Sequence, residues 1–162
     1  MRTTLMLSLV AVLVAPLLFA QSKTPKTNRW SIRKRNVMAS INRPTRVSGE
    51  GKLTPSGVKY WDIQEGEANP ATKGHVVKVQ YTAWIEQGKE FASSESDGRL
   101  PVFTLGAGQV IPGWEEGMEG MKVGGKRQLR IPPELAYGAD GVPSLVPPNA
   151  TLIYDVVLIE LQ

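Results

Sequence analysis

The chain has 162 residues, no Cys and one His, which is length for one folded core with appended segments rather than two full domains. Without Cys there are no disulfides, no thiol catalysis, no lipoprotein-type lipid anchor and no Cys-based metal centre, and a single His excludes most other metal sites. The net charge of +4 is uneven: residues 21–48 hold eight basic residues and no acid, whereas residues 49–162 hold ten basic and fifteen acidic residues. The globular part is therefore acidic, which argues against nucleic-acid binding through a basic face.

Residues 1–20 read as a secretory signal peptide. Arg2 precedes an apolar run from Leu5 to Phe19, and Ala20 closes it. The run is shorter than the roughly 20 apolar residues of a membrane span, and Pro16 interrupts it. Cleavage is expected after Ala20, giving an exported protein, periplasmic or secreted. The bulky Leu18 keeps a retained N-terminal membrane anchor open as the alternative. Residues 21–48 are polar and basic, with the composition of a disordered linker. Trp30, Ile32, Val37, Met38 and Ile41 suit a solvated linker, or one short amphipathic turn against a membrane. The basic run at 32–36 would be drawn to anionic lipid by about 1 kcal/mol per charge near the surface.

The domain is expected over 49–162. Strands are expected at 57–64, at 75–86, from Lys89 to Ser93, at 102–106, at 126–132 and at 151–162. The clearest is 75–86, where Val77, Val79, Tyr81, Ala83 and Ile85 alternate with Lys78, Gln80, Thr82, Trp84 and Glu86. Gln87-Gly88 is a turn signal. Residues 108–118, GQVIPGWEEGM, form a short helix-like piece with Pro112 near its start and Gly117 and Gly120 near its end. A helix of fewer than about 12 residues is marginal in water, so it must be packed by others. Many strands and one short helix imply an α+β fold, an antiparallel sheet curled over the helix.

Rival motifs are weak. Gly120–Lys126 has the spacing of a phosphate-binding loop, but Arg127 stands where Ser or Thr is needed. His75 reads as a solvated strand end rather than a member of a catalytic triad. Glu115, Glu116 and Glu119 fit the helix's outer face near its N-terminus, where the dipole favours them. Asn149-Ala150-Thr151 fits a glycosylation acceptor, relevant only in a eukaryotic secretory route.

Three blocks in order, VQYTAWIEQGKEF at 79–91, GQVIPGWEEGMEGMKVGGKRQLRIP at 108–132 and PELAYGADGVPSLVPPNATLIYDV at 133–156, resemble the FKBP-type peptidyl-prolyl cis-trans isomerases. The resemblance implies a half-barrel of five to six strands wrapped on the Trp114 helix, and rotation of X–Pro bonds as the activity. It implies an apolar cup with Trp114 as floor, Tyr81 and Phe91 as one wall, and Val110 and Ile111 entering before the helix. Tyr137 would stand at the rim and Tyr154 at the far side, with Leu145 and Val146 overhanging. It implies Tyr81, Phe91, Ile111, Trp114 and Tyr137 as the catalytic set, the Ile111 N–H and the Tyr137 phenol holding substrate carbonyls. No cofactor or metal is implied. The expected partners are proline-containing polypeptides and macrolide immunosuppressant-type ligands, with an anionic membrane surface for the basic segment, no specific nucleic acid, and a monomeric state.

Three positions depart from the family. Ala92 stands where the family has Asp after the wall Phe, leaving the Tyr81 phenol in need of a partner, with Glu95 and Asp97 on the same loop as candidates. Pro101 replaces a frequent aromatic, and Val142 a polar residue at the loop tip. The alternative reading is thus a proline-binding chaperone or scaffold with weak turnover.

Overall fold

A computed structural model describes residues 43–162; the expected signal peptide and most of the basic linker lie outside them. The strands are β1 (Lys52–Leu53), β2 (Lys59–Gln64), β3 (Val76–Ile85), β4 (Glu90–Ser93), β5 (Val102–Thr104), β6 (Lys126–Ile131) and β7 (Leu152–Leu161). The one α-helix, α1, spans Pro112–Met118, and a 3₁₀ turn covers Pro133–Leu135. All strand pairs are antiparallel, in the order β1-β2-β6-β7-β3-β4, with β5 also on β3. The expected strands are present, and the two-residue β1 adds an edge that its short length hid.

β3 and β7 form the spine, paired from Val77↔Leu161 to Ile85↔Leu152. The free edge of β3 is shared. Its last residues pair with β4 and its first with β5. Tyr81 sits where one partner gives way to the other. The inner face buries Val77, Val79, Leu129, Ile131, Leu152, Val156 and Leu158 completely. Each such side chain contributes about 1.5–3 kcal/mol on leaving water.

The helix lies flat on β6. A Cβ on Gly113 would stand 2.2 Å from Ile131 Cγ2, and one on Gly117 would stand 2.8 Å from the Leu129 methyls. These glycines, one turn apart, let the backbone approach the sheet while Trp114 and Met118 are driven into the core. The C-terminal end of α1 is capped from the sheet. Arg127 Nη1 donates to the carbonyls of Gly117 at 2.7 Å and Glu119 at 3.0 Å. Its Nε donates to Asp62 at 2.6 Å, and its guanidinium lies 4.3 Å from the Tyr60 ring centre. A buried cation thus meets the negative end of the helix.

The outer face is less polar than the alternation suggested, since Trp84 is 2% exposed. It shares a shallow hollow with Arg43 and Thr45 from the segment that precedes the domain. Thr45 is bonded to Asp155 through both its backbone N–H and its hydroxyl. Its carbonyl accepts from Gln128 Nε2 at 2.7 Å and its hydroxyl from Lys126 Nζ at 2.9 Å. These bonds tie Thr45, which lies ahead of the expected boundary at residue 49, to the sheet. The reason is that Asp155 and Gln128, both buried, need partners on this face.

Candidate active site

Two side chains fix the loop that feeds α1. Gln109 Oε1 accepts the Thr104 N–H at 2.7 Å, and Glu115 Oε1 accepts the Gly108 N–H at 2.7 Å. Glu116 bonds the Ser56 hydroxyl. Two of the three glutamates expected on the outer face of the helix, Glu115 and Glu116, thus serve as ties. Pro112 occupies the first helical position, where its missing N–H costs nothing.

The helix presents Trp114, 5% exposed, at the bottom of a hollow of about 510 Å³. Tyr81 and Tyr154 meet the indole edge-on, at 5.1 Å and 78° and at 5.2 Å and 84°. Phe103 lies 5.8 Å from it, and Phe91 meets Tyr154 at 6.1 Å and 84°. Edge-to-face pairs are the favoured aromatic arrangement, so the floor is held from several directions.

Few polar groups enter. The Tyr81 hydroxyl donates to Asp97 Oδ2 at 3.0 Å. Burial, and then this bond to Asp97, push its phenol up to about 12. Burial, and then the neighbouring phenol of Tyr137, push the Tyr154 phenol up further. Both phenols are neutral at pH 7. The Ile111 N–H takes no hydrogen-bond partner among the described residues, while the Ile111 carbonyl accepts from Trp114 at 2.9 Å. No group of three His, Asp or Glu that could hold a metal occurs among the described residues. His75 Nδ1 accepts the Thr72 N–H at 3.1 Å and belongs to a turn.

Tyr81, Phe91, Val110, Ile111, Trp114, Tyr137 and Tyr154 line this one hollow. Leu145 and Val146 do not; they line a separate depression of about 280 Å³. The loop carrying them closes on itself. Val142 and Val146 exchange backbone hydrogen bonds at 2.8 and 2.9 Å, and the Asn149 N–H reaches the Gly138 carbonyl at 2.9 Å. Val146 is thereby packed in the core, and Leu145, half exposed, points away from the cup wall. Ala92 and Pro101 join the lining; in sequence they stand out only as departures. A further hollow of about 430 Å³ beside Arg127 holds Lys52, Asp62, Glu65, Glu119 and Lys122. Three ion pairs link charges within it.

The site is thus an apolar aromatic cup with neutral hydrogen-bonding phenols, set in a half-barrel. Residues 67–159 match the family model described as FKBP-type peptidyl-prolyl cis-trans isomerase. The chain is 52% identical over 106 residues to an FK506-binding protein of Neisseria meningitidis serogroup B, covering 65% of this chain and 96% of that one. It is 50% identical over 93 residues to the peptidyl-prolyl cis-trans isomerase FPR2 of Saccharomyces cerevisiae, covering 57% of this chain and 69% of that one. The crystal structure of AtFKBP13 superposes with a TM-score of 0.65 at 39% identity, over 70% of this chain and all of that one. The chain belongs to the FKBP-type peptidyl-prolyl cis-trans isomerases.

Proposed function

We propose that this chain rotates X–Pro bonds in exported polypeptides and so assists their folding. The observation that supports this reading is the floor of the cup, a buried indole held edge-on by two tyrosines. A proline ring needs such a flat apolar seat. The X–Pro amide resists rotation by about 18–20 kcal/mol because its C–N bond is partly double. The planar amide is the more charge-separated form, so a dry cup favours the twisted one. The Ile111 N–H, without a partner among the described residues, and the exposed Tyr137 side chain are suited to hold substrate carbonyls. A thousandfold acceleration needs only about 4 kcal/mol of selective binding to the twisted state. Uncatalysed isomerisation takes tens to hundreds of seconds, slow enough to limit folding. Export rests on the signal-peptide pattern of residues 1–20. The same cup suits FK506-type ligands.

Isomerisation of short X–Pro peptides by the full chain tests the activity, with Trp114→Ala as control. Catalysis that the substitution removes supports the reading, and a wild-type rate at background sinks it. A second reading, a proline binder with weak turnover, has one observation in its favour, the methyl of Ala92 in the cup wall. Peptide binding without catalysis would select it.

A further inference from the structure

The turn between β4 and β5 grips Tyr81 at both ends. At the backbone, the Ser94 N–H donates to the Tyr81 carbonyl at 3.0 Å, and the Ser94 hydroxyl accepts the Tyr81 N–H at 3.1 Å. At the tip of the ring, Asp97 Oδ2 accepts the phenolic hydrogen at 3.0 Å. The turn is braced by its own serines. The Ser93 carbonyl accepts the Asp97 N–H at 3.0 Å and the Ser96 hydroxyl at 2.9 Å, and the Ser93 hydroxyl accepts the Ser96 N–H at 3.1 Å. Ser93 and Ser94 are buried. Asp97 is exposed, yet its backbone is fixed by this bracing, so its carboxylate is aimed rather than adrift.

Among the described residues the Tyr81 hydroxyl has no second hydrogen-bond partner. Phe91 and Ala92, the cup wall next to it, are apolar. A phenol partly withdrawn from water is costly to leave unpaired, so the bond to Asp97 decides where this ring rests. The ring's edge in turn abuts Trp114 at 5.1 Å. With its hydrogen committed to a carboxylate, the phenol oxygen meets the cup as an acceptor, strengthened by the charge behind it. The other titratable groups near this phenol are Tyr137, Tyr154 and Arg99.

We propose that Asp97 is a positioning residue for X–Pro isomerisation, fixing Tyr81 against Trp114 from the loop side and replacing a carboxylate that position 92 lacks. The proposal rests on the isomerase reading above and assigns a specific part of it.

The test uses the full chain with Asp97→Ala, Asp97→Asn and the double substitution Asp97→Ala/Ala92→Asp. Two quantities are read, kcat/KM on X–Pro peptides and the ionisation of the Tyr81 phenol, by tyrosinate absorbance against Tyr81→Phe. Asp97→Ala is expected to lower kcat/KM about tenfold or more, the factor one lost charged hydrogen bond gives. It also lowers the midpoint of the Tyr81 phenol. Asp97→Asn, which keeps an acceptor without the charge, falls between, and Ala92→Asp restores most of the rate lost by Asp97→Ala. A rate unchanged by Asp97→Ala, or a loss that Ala92→Asp leaves in place, overturns the proposal. If the wild type catalyses nothing, the isomerase reading fails separately. The same variants are then compared by the affinity of a proline peptide followed through intrinsic Trp fluorescence. Equal affinities with an unmoved Tyr81 phenol would overturn the role of Asp97 as well.

Discussion

The backbone N–H of Thr45 donates to Asp155 Oδ2 at 3.0 Å, across 110 residues of chain. Asp155 stands opposite Thr82 on β3 and Gln128 on β6, in the middle of the outer sheet face. Its other oxygen accepts Gln128 Nε2 at 2.8 Å. The segment before the domain thus completes a polar cluster that the sheet would otherwise leave half satisfied. Removal of residues 1–48 is expected to destabilise the domain by about 1–3 kcal/mol, the cost of uncovering such groups. A truncation beginning at residue 43, which keeps Thr45, should have a higher urea midpoint than one beginning at residue 49. Equal midpoints for both truncations would show that the clasp contributes nothing.

Gly113 is expected to tolerate no side chain. Its missing Cβ would overlap Ile131 Cγ2 at 2.2 Å, and forcing a methyl into a packed interior costs about 1–3 kcal/mol. Gly113→Ala should lower thermal stability, and Ile131→Ala, which removes Cγ2, should cost less in that background than in the wild type. If the two effects are simply additive, contact between these residues is not the cause.

Trp114 carries both packing and function. Trp114→Ala should cost about 3–5 kcal/mol of stability as a core truncation and remove most isomerase activity. Trp114→Phe keeps an aromatic floor and should stay folded with reduced kcat/KM. The decisive measurement is activity per folded molecule, with denaturation followed by circular dichroism on the same samples.

Acid should weaken the link between helix and sheet. Burial alone would raise the Asp62 carboxyl, but hydrogen bonds from Lys52 and Arg127 outweigh it and hold the group below its ordinary 3.8. A carboxylate with a lowered folded-state pKa stabilises fully above the unfolded value. That stability is lost as pH falls through the folded value. Asp62→Asn should therefore be less stable than the wild type at pH 7, with the gap closing below about pH 4. Urea midpoints at pH 7 and pH 3 measure it. A gap that persists undiminished at pH 3 would point to packing rather than charge.

Much of the fold is legible along the chain because its signals are local. The alternation from Val77 to Ile85 reflects the two-residue repeat of a pleated strand, and the short glycine-flanked Trp114 segment announces a helix that must be packed. Trp84 shows where the pattern fails. Alternation assigns it to the second face of the strand, but cannot say that this face is covered. Likewise the motifs name the aromatic residues of the cup, whereas the placing of Leu145 and Val146 beside it overlooks the closure of their loop through Val142.

Strand alternation and the short glycine-flanked segment were enough for an antiparallel sheet on one short helix, while the aromatic site around Trp114 and the missing carboxylate at Ala92 came from the resemblance to the family. The chain's return in space answered the rest. Asp97 rather than Glu95 meets Tyr81, Gly113 lies on Ile131, Arg127 caps the end of α1, and Thr45 closes on Asp155. Periodicity and propensity act over a few neighbouring residues. These partnerships depend on which strands pair and in what register, and a one-residue slip would turn every side chain concerned to the opposite face.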